Sequence, residues 1–174
     1  MSIEALIFDV DGTLADTEEL HRQAFNDTFH ACGLDWYWHR ELYRDLLKTT
    51  GGKERIAAFV GTHRAGEAVK VMPLMRELHA LKTERYTALV RKGGLSLRPG
   101  IKRLIEEARE SSVRLAIATT TSLANVHALL EATLGPEAPR LFSVIAAGDE
   151  VKRKKPAPDV YQLVLDRMVA PAAA

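Results

Sequence analysis

Beyond residue 93 the chain alternates short apolar runs with amphipathic stretches. Residues 101–110, IKRLIEEARE, fit a surface helix opened by Pro99-Gly100, and residues 114–118, RLAIA, fit a buried strand. Residues 122–131 fit a second helix, 142–146 a second strand and 158–168 a third helix. Strands that are apolar throughout, separated by helices of this length, predict parallel strands joined by helical crossovers, because parallel neighbours cannot be joined by tight turns. The run IEALIF at 3–8 is a further strand and stops abruptly at the acidic sequence DVDGT. The predicted fold class is therefore α/β, with a parallel sheet at its core.

Residues 17–92 break that rhythm. Leu20, Phe25 and Phe29 share one helical stripe, Gly33 stops it, Gly51-Gly52 interrupts the segment, and 74–90 carries a long amphipathic pattern after Pro73. With no alternating strand in it, 17–92 is predicted to be a helical insertion, and 1–16 with 93–174 a discontinuous α/β core. Trp36, Tyr37 and Trp38 are expected to pack the insertion's interior.

A composition of 47% hydrophobic and 27% charged residues provides for both a core and a solvated surface. A net charge of +1 supplies no field suited to a nucleic-acid partner, and the short basic run KRKK has no interleaved aromatics. Cys32 is the single cysteine, so no intrachain disulfide can form. Residues 1–9 lack the basic region and apolar run of an export signal, and no stretch approaches the roughly 20 apolar residues of a membrane span. The expected address is the cytoplasm, with no membrane association and no obligate protein partner evident.

The strongest chemical signal is Asp9-Val10-Asp11-Gly12-Thr13. Ligands of parallel α/β sheets bind outside the carboxyl ends of the strands, where this loop is predicted to lie. Asp9 is suited to attack phosphorus as a carboxylate. Asp11 is suited to protonate the leaving oxygen and then to activate the water that resolves the acyl phosphate. Two carboxylates facing a phosphate demand a divalent cation, and magnesium suits oxygen donors. An ordinary acidic turn accounts for the same five residues. Thr119-Thr120-Thr121-Ser122 follows the strand RLAIA and offers hydroxyls and helix-start amides to phosphate oxygens, or simply helix capping. VKRKKPAPD at 151–159 offers a lysine to neutralise a phosphoryl group, although any one of its basic residues alone reads as a solvated charge.

DVDGT, Thr119 after a buried strand and KKPAPD at 154–159, in that order, resemble the haloacid-dehalogenase-like hydrolases. The tracts FDVDGTLADTEELHRQAF, TTGGKERIAAF, HALKTERY, LRPGI, LAIATTTSLANV and VIAAGDE are similar to the CbbY-type sugar phosphatases, relatives of beta-phosphoglucomutase. The resemblance implies that Asp9 is nucleophile and magnesium ligand, and that Asp11 is acid/base and binds the metal through its carbonyl. It implies that Thr119 and Lys155 hold the phosphoryl group, and that the helical insertion is a mobile cap. Glu18, His21, Lys53, Arg55 and Lys82 become candidate substrate ligands, with Lys53 and Arg55 on the distal phosphate of a bisphosphate; by helical pattern alone Lys82 is a surface lysine. The implied substrate is a small phosphorylated sugar, xylulose 1,5-bisphosphate, hydrolysed to xylulose 5-phosphate.

The same resemblance predicts a further strand and an acidic loop beyond the lysine segment, which the sequence ending in Ala-Pro-Ala-Ala-Ala does not contain. On that reading the core is incomplete, the first strand is left as an edge, and the 174-residue form is expected to bind magnesium weakly and turn over little. A phosphomutase and a catalytically silent binding protein remain the rival readings.

Overall fold

The computed structural model describes residues 3–169, so the Ala- and Pro-rich stretch at 170–174 lies outside the described residues. The chain forms two compact units, one made of Met1–Thr17 with Gly93–Ala174 and the other of Glu18–Lys92.

The first unit is built on three parallel strands in the order β1-β2-β3: β1 is Ala5–Phe8, β2 is Arg114–Ala118 and β3 is Val144–Ala146. Phe8 pairs with Ile117, and Ala118 with Ala146, so the carboxyl ends of all three strands lie side by side. Among the described residues β1 pairs only with β2. It is also shorter than the apolar run, since Ile3 is exposed and stands outside the ladder.

Side-chain alternation along β2 explains how the unit is layered. Leu115 and Ile117 turn to one face, where they pack with Phe8, Ile105, Val126, Leu129 and Leu130. Ala116 and Ala118 turn to the other, against Val160 and Val164. Three helices flank the sheet: α6 is Ile101–Glu110, α7 is Leu123–Leu134 and α8 is Asp159–Val169. Helices α6 and α7 thus cover the face with large residues, and α8 covers the face where alanines let it approach closely. Each fully buried Leu or Ile contributes about 1.5–3 kcal/mol relative to exposure. Helix α7 outlasts its expected span because Leu129 and Leu130 hold it to the core, and it stops at Gly135, whose φ of 99° few other residues adopt.

The second unit contains α1 (Glu18–Ala31), α2 (Arg40–Leu46), α3 (Gly52–His63), the short α4 (Ala68–Val71) and α5 (Met75–Arg91). Its interior is an aromatic cluster centred on Trp38, whose ring centroid lies 4.6 Å from Phe25, 4.8 Å from Phe29 and 5.4 Å from Phe59. The link from α1 to α2 is pinned from α1 itself. Asn26 Oδ1 accepts from Trp38 N at 2.8 Å, and Asn26 Nδ2 and Arg22 Nη1 both donate to Trp38 O. Of the three consecutive aromatics, Trp36 and Trp38 are buried as expected. Tyr37 is not: it is 67% exposed and lies beside Arg22, because an extended segment sends successive side chains to opposite sides.

Candidate active site

Four of the residues singled out by sequence lie in the first unit, at the carboxyl ends of its strands. Asp9 directly follows β1 and is half-buried. Thr119 directly follows β2, is 1% exposed, and donates its N–H to Ala146 O of β3 at 3.1 Å. Lys155 reaches in from the segment after β3: its Nζ is 3.0 Å from Asp9 Oδ1 and 2.8 Å from Ala118 O. The same Nζ lies 4.9 Å from the Tyr161 ring centroid. Lys155 is therefore the inward member of the basic run, while Arg153 turns outward to pair with Asp159 at 2.8 Å. That pair holds the Asp159 carboxyl below its ordinary value, chiefly through the Arg153 hydrogen bond.

The acidic loop is wound tightly on itself. Thr13 N and Leu14 N both donate to Val10 O, and Gly12 N donates to Ala15 O at 2.9 Å. Gly12 has φ 75°, a conformation that a side chain would strain. Asp11 Oδ1 accepts from Thr17 Oγ1 at 2.6 Å, a bond the sequence reading missed because Thr17 reads there as the start of a helix. Val10 and Leu14 are buried, which drives the loop's apolar residues into the core and leaves the two acids at the surface of the unit.

Two further features of this region have no strong sequence signal. Gly148 N donates to Thr121 O at 3.0 Å, and a Cβ on Gly148 would lie 2.2 Å from Thr120 O. The loops after β2 and β3 therefore touch backbone to backbone. Glu150 ties the same segment down, accepting from Ala147 N at 2.8 Å and from Arg167 Nη2 of α8 at 2.6 Å. Desolvation opposes ionisation of Glu150, but these two hydrogen bonds outweigh it and hold the carboxyl below its ordinary value.

The other five candidates lie in the second unit, where four of them fall into two clusters. His21 Nδ1 and Lys82 Nζ are 2.6 Å apart, and both residues are at least 95% buried. The Lys82 ammonium also lies 4.8 Å from the Phe25 ring centroid and 5.1 Å from that of Tyr86. The surface position suggested for Lys82 by helical pattern alone is thus corrected, since a charge at a buried position is held by a polar partner and ring faces that periodicity does not register. In the second cluster, Tyr43 donates to Glu18 Oε2 at 3.0 Å and accepts from Arg55 Nη1 at 3.1 Å. Tyr43 joins two predicted ligands and carries no signal of its own in the sequence. Lys53 and Arg55 both stand on α3, two residues apart and hence about 200° apart around the helix.

A carboxylate held against a lysine at the mouth of a parallel sheet, beside a hydroxyl-rich loop, is equipment for handling a phosphoryl group. The pattern of the haloacid dehalogenase-like hydrolases matches residues 3–174, and the chain belongs to that family of hydrolases. Protein CbbY of Cereibacter sphaeroides is 57% identical over 169 residues, covering 97% of this chain and 72% of the relative. Protein CbbY of Rhodobacter capsulatus is 55% identical over 174 residues, covering 100% of this chain and 75% of the relative. A crystal structure of a CbbY mutant from Rhodobacter sphaeroides, in complex with xylulose 1,5-bisphosphate, is 52% identical with a TM-score of 0.87, over 98% of this chain and 74% of that one. The CbbY structure in complex with phosphate gives the same values. Among the described residues no helix is long and apolar enough to cross a membrane.

Proposed function

We propose that the chain is a phosphatase acting on a small phosphorylated sugar, with xylulose 1,5-bisphosphate as substrate and Asp9 as nucleophile. The observation that carries this is the contact of Lys155 with Asp9 at the end of β1. An ammonium beside the attacking carboxylate offsets the negative charge that otherwise repels a phosphate dianion. The substrate assignment draws its support from the CbbY complex with xylulose 1,5-bisphosphate.

In this reading Asp9 attacks phosphorus, and the P–O bond to the sugar breaks as the O–P bond to Asp9 forms. Asp11 gives its proton to the departing sugar oxygen, steadied meanwhile by Thr17. Asp11 then takes a proton from the water that attacks the phospho-aspartate, releasing inorganic phosphate and restoring Asp9. Lys155 and Thr119 hold the phosphoryl oxygens, and the unit formed by Glu18–Lys92 acts as the cap. There Glu18, His21, Lys53, Arg55 and Lys82 take the sugar and its second phosphate.

The donor set suits magnesium. Among the described residues no group of three or more His, Cys, Asp or Glu side chains converges to hold a metal. Magnesium keeps several waters and binds through one or two carboxylates with substrate phosphates. The Asp9 carboxylate and the Asp11 carbonyl would hold it, and when bound it would neutralise phosphate charge.

The test is magnesium-dependent phosphate release from xylulose 1,5-bisphosphate by the chain beside its Asp9→Asn variant. Release by the parent alone is expected. An isomeric sugar phosphate in place of free phosphate would make the chain a mutase, and release by both proteins would remove Asp9 from its role.

A further inference from the structure

Three hydroxyls of the loop after β2, those of Thr119, Thr121 and Ser122, accept hydrogen bonds from the protein. Thr119 Oγ1 accepts from Thr121 N at 3.2 Å, Thr121 Oγ1 from Asn125 Nδ2 at 2.9 Å, and Ser122 Oγ from Asn125 N at 3.4 Å. A hydroxyl carries one proton and two lone pairs, so each of these groups, with a lone pair engaged, keeps its proton for another acceptor. A loop in that state matches a ligand whose polar atoms are acceptors only, which describes the oxygens of a phosphoryl dianion.

Asn125 is the costly member of this arrangement. It is 3% exposed on the first turn of α7, and among the described residues its Oδ1 has no hydrogen-bond partner. Burying an unsatisfied amide oxygen is unfavourable, and an apolar side chain of similar volume would fill the site without that cost. Among the described residues its one side-chain bond is the one to Thr121. Turned over, the same amide would take the Thr121 proton for itself, so the direction of this bond determines whether Thr121 can donate outward.

We propose that Asn125 is a positioning residue for phosphoryl binding: by donating to Thr121 Oγ1 it directs the Thr121 hydroxyl proton to the phosphoryl oxygens. The inference rests on the phosphatase reading above. It involves no contact between Asn125 and the substrate.

A double-mutant cycle on the full chain tests it, with inorganic phosphate as the probe and calorimetric affinity as the readout. Asn125→Leu should weaken phosphate binding about fivefold, the order expected for one neutral hydrogen bond. In a Thr121→Val background the same change should have almost no effect, because the hydroxyl it directs is gone. A purely structural role would lower the thermal midpoint in both backgrounds and shift phosphate affinity equally in both; that result, or no shift in either, overturns the proposal. Asn125→Ala carries the same cycle if the leucine variant does not fold. A parent chain that binds no phosphate would refute the phosphatase reading and this inference with it, whereas equal shifts in both backgrounds would remove this inference alone.

Discussion

Lys155 Nζ lies 3.0 Å from Asp9 Oδ1 and 2.8 Å from Ala118 O, so one ammonium group joins the ends of β1 and β2 to the segment that follows β3. The lysine thereby holds the proposed nucleophile in place and stands ready for the charge of an arriving phosphate.

Replacing that lysine by a neutral side chain of similar length should leave the fold intact and damage the chemistry. Lys155→Met is expected to lower kcat about 10²–10³-fold, the usual cost of removing one preorganised stabiliser of transition-state charge. Steady-state kinetics beside a circular dichroism spectrum check this; unchanged kcat in a folded variant would assign Lys155 to structure alone.

Gly148→Ala should force the two catalytic-side loops apart, since the new Cβ would sit 2.2 Å from Thr120 O and 2.6 Å from Thr120 C. Backbone cannot step aside as a flexible side chain can. An overpacking penalty of about 1–3 kcal/mol is expected in urea unfolding, together with loss of phosphate release. Full activity at parental stability would show that the loops have slack.

The Glu150 carboxyl, whose folded value lies below its ordinary one, makes stability depend on pH at the acid end. Its contribution is fully present above the unfolded value of about 4.3 and is lost as pH falls through the folded value. With the partners 33% and 43% exposed, solvent screening limits the pair to about 0–1 kcal/mol. Urea midpoints of Glu150→Gln should therefore lie slightly below the parent at pH 7 and converge with it as the pH drops below 4.3; divergence on acidification would contradict the sign.

Within the helical unit, Trp38 is 0% exposed and among the described residues its Nε1 has no hydrogen-bond partner. Trp38→Phe removes that unsatisfied donor along with some volume, so the two effects partly cancel. Trp38→Ala should cost about 3–5 kcal/mol and Trp38→Phe clearly less, measured by denaturant unfolding. Equal losses would mean that indole packing alone matters.

Much of this was legible along the chain because it depends on neighbours in sequence. The helix at 101–110 and the strand at 114–118 have the expected bounds, since an amphipathic period and an uninterrupted apolar run each need only a few consecutive residues to declare themselves. The family, too, could be read from DVDGT, Thr119 and KKPAPD in order. Long side chains were harder. Four adjacent basic residues in 152–155 look alike in the sequence, and only the backbone path after β3 turns Lys155 inward and Arg153 outward.

What the sequence by itself determined is the alternation of strand and helix, the helical character of the long insertion and the placement of the acidic loop at a strand end. Tertiary structure alone decided which polar groups meet: Lys82 with His21, Tyr43 between Glu18 and Arg55, Thr17 with Asp11, Asn125 with Thr121. The physical reason is range. Periodicity and turn chemistry act within a few residues, whereas a buried polar group finds its partner only after packing has excluded water and left it no alternative.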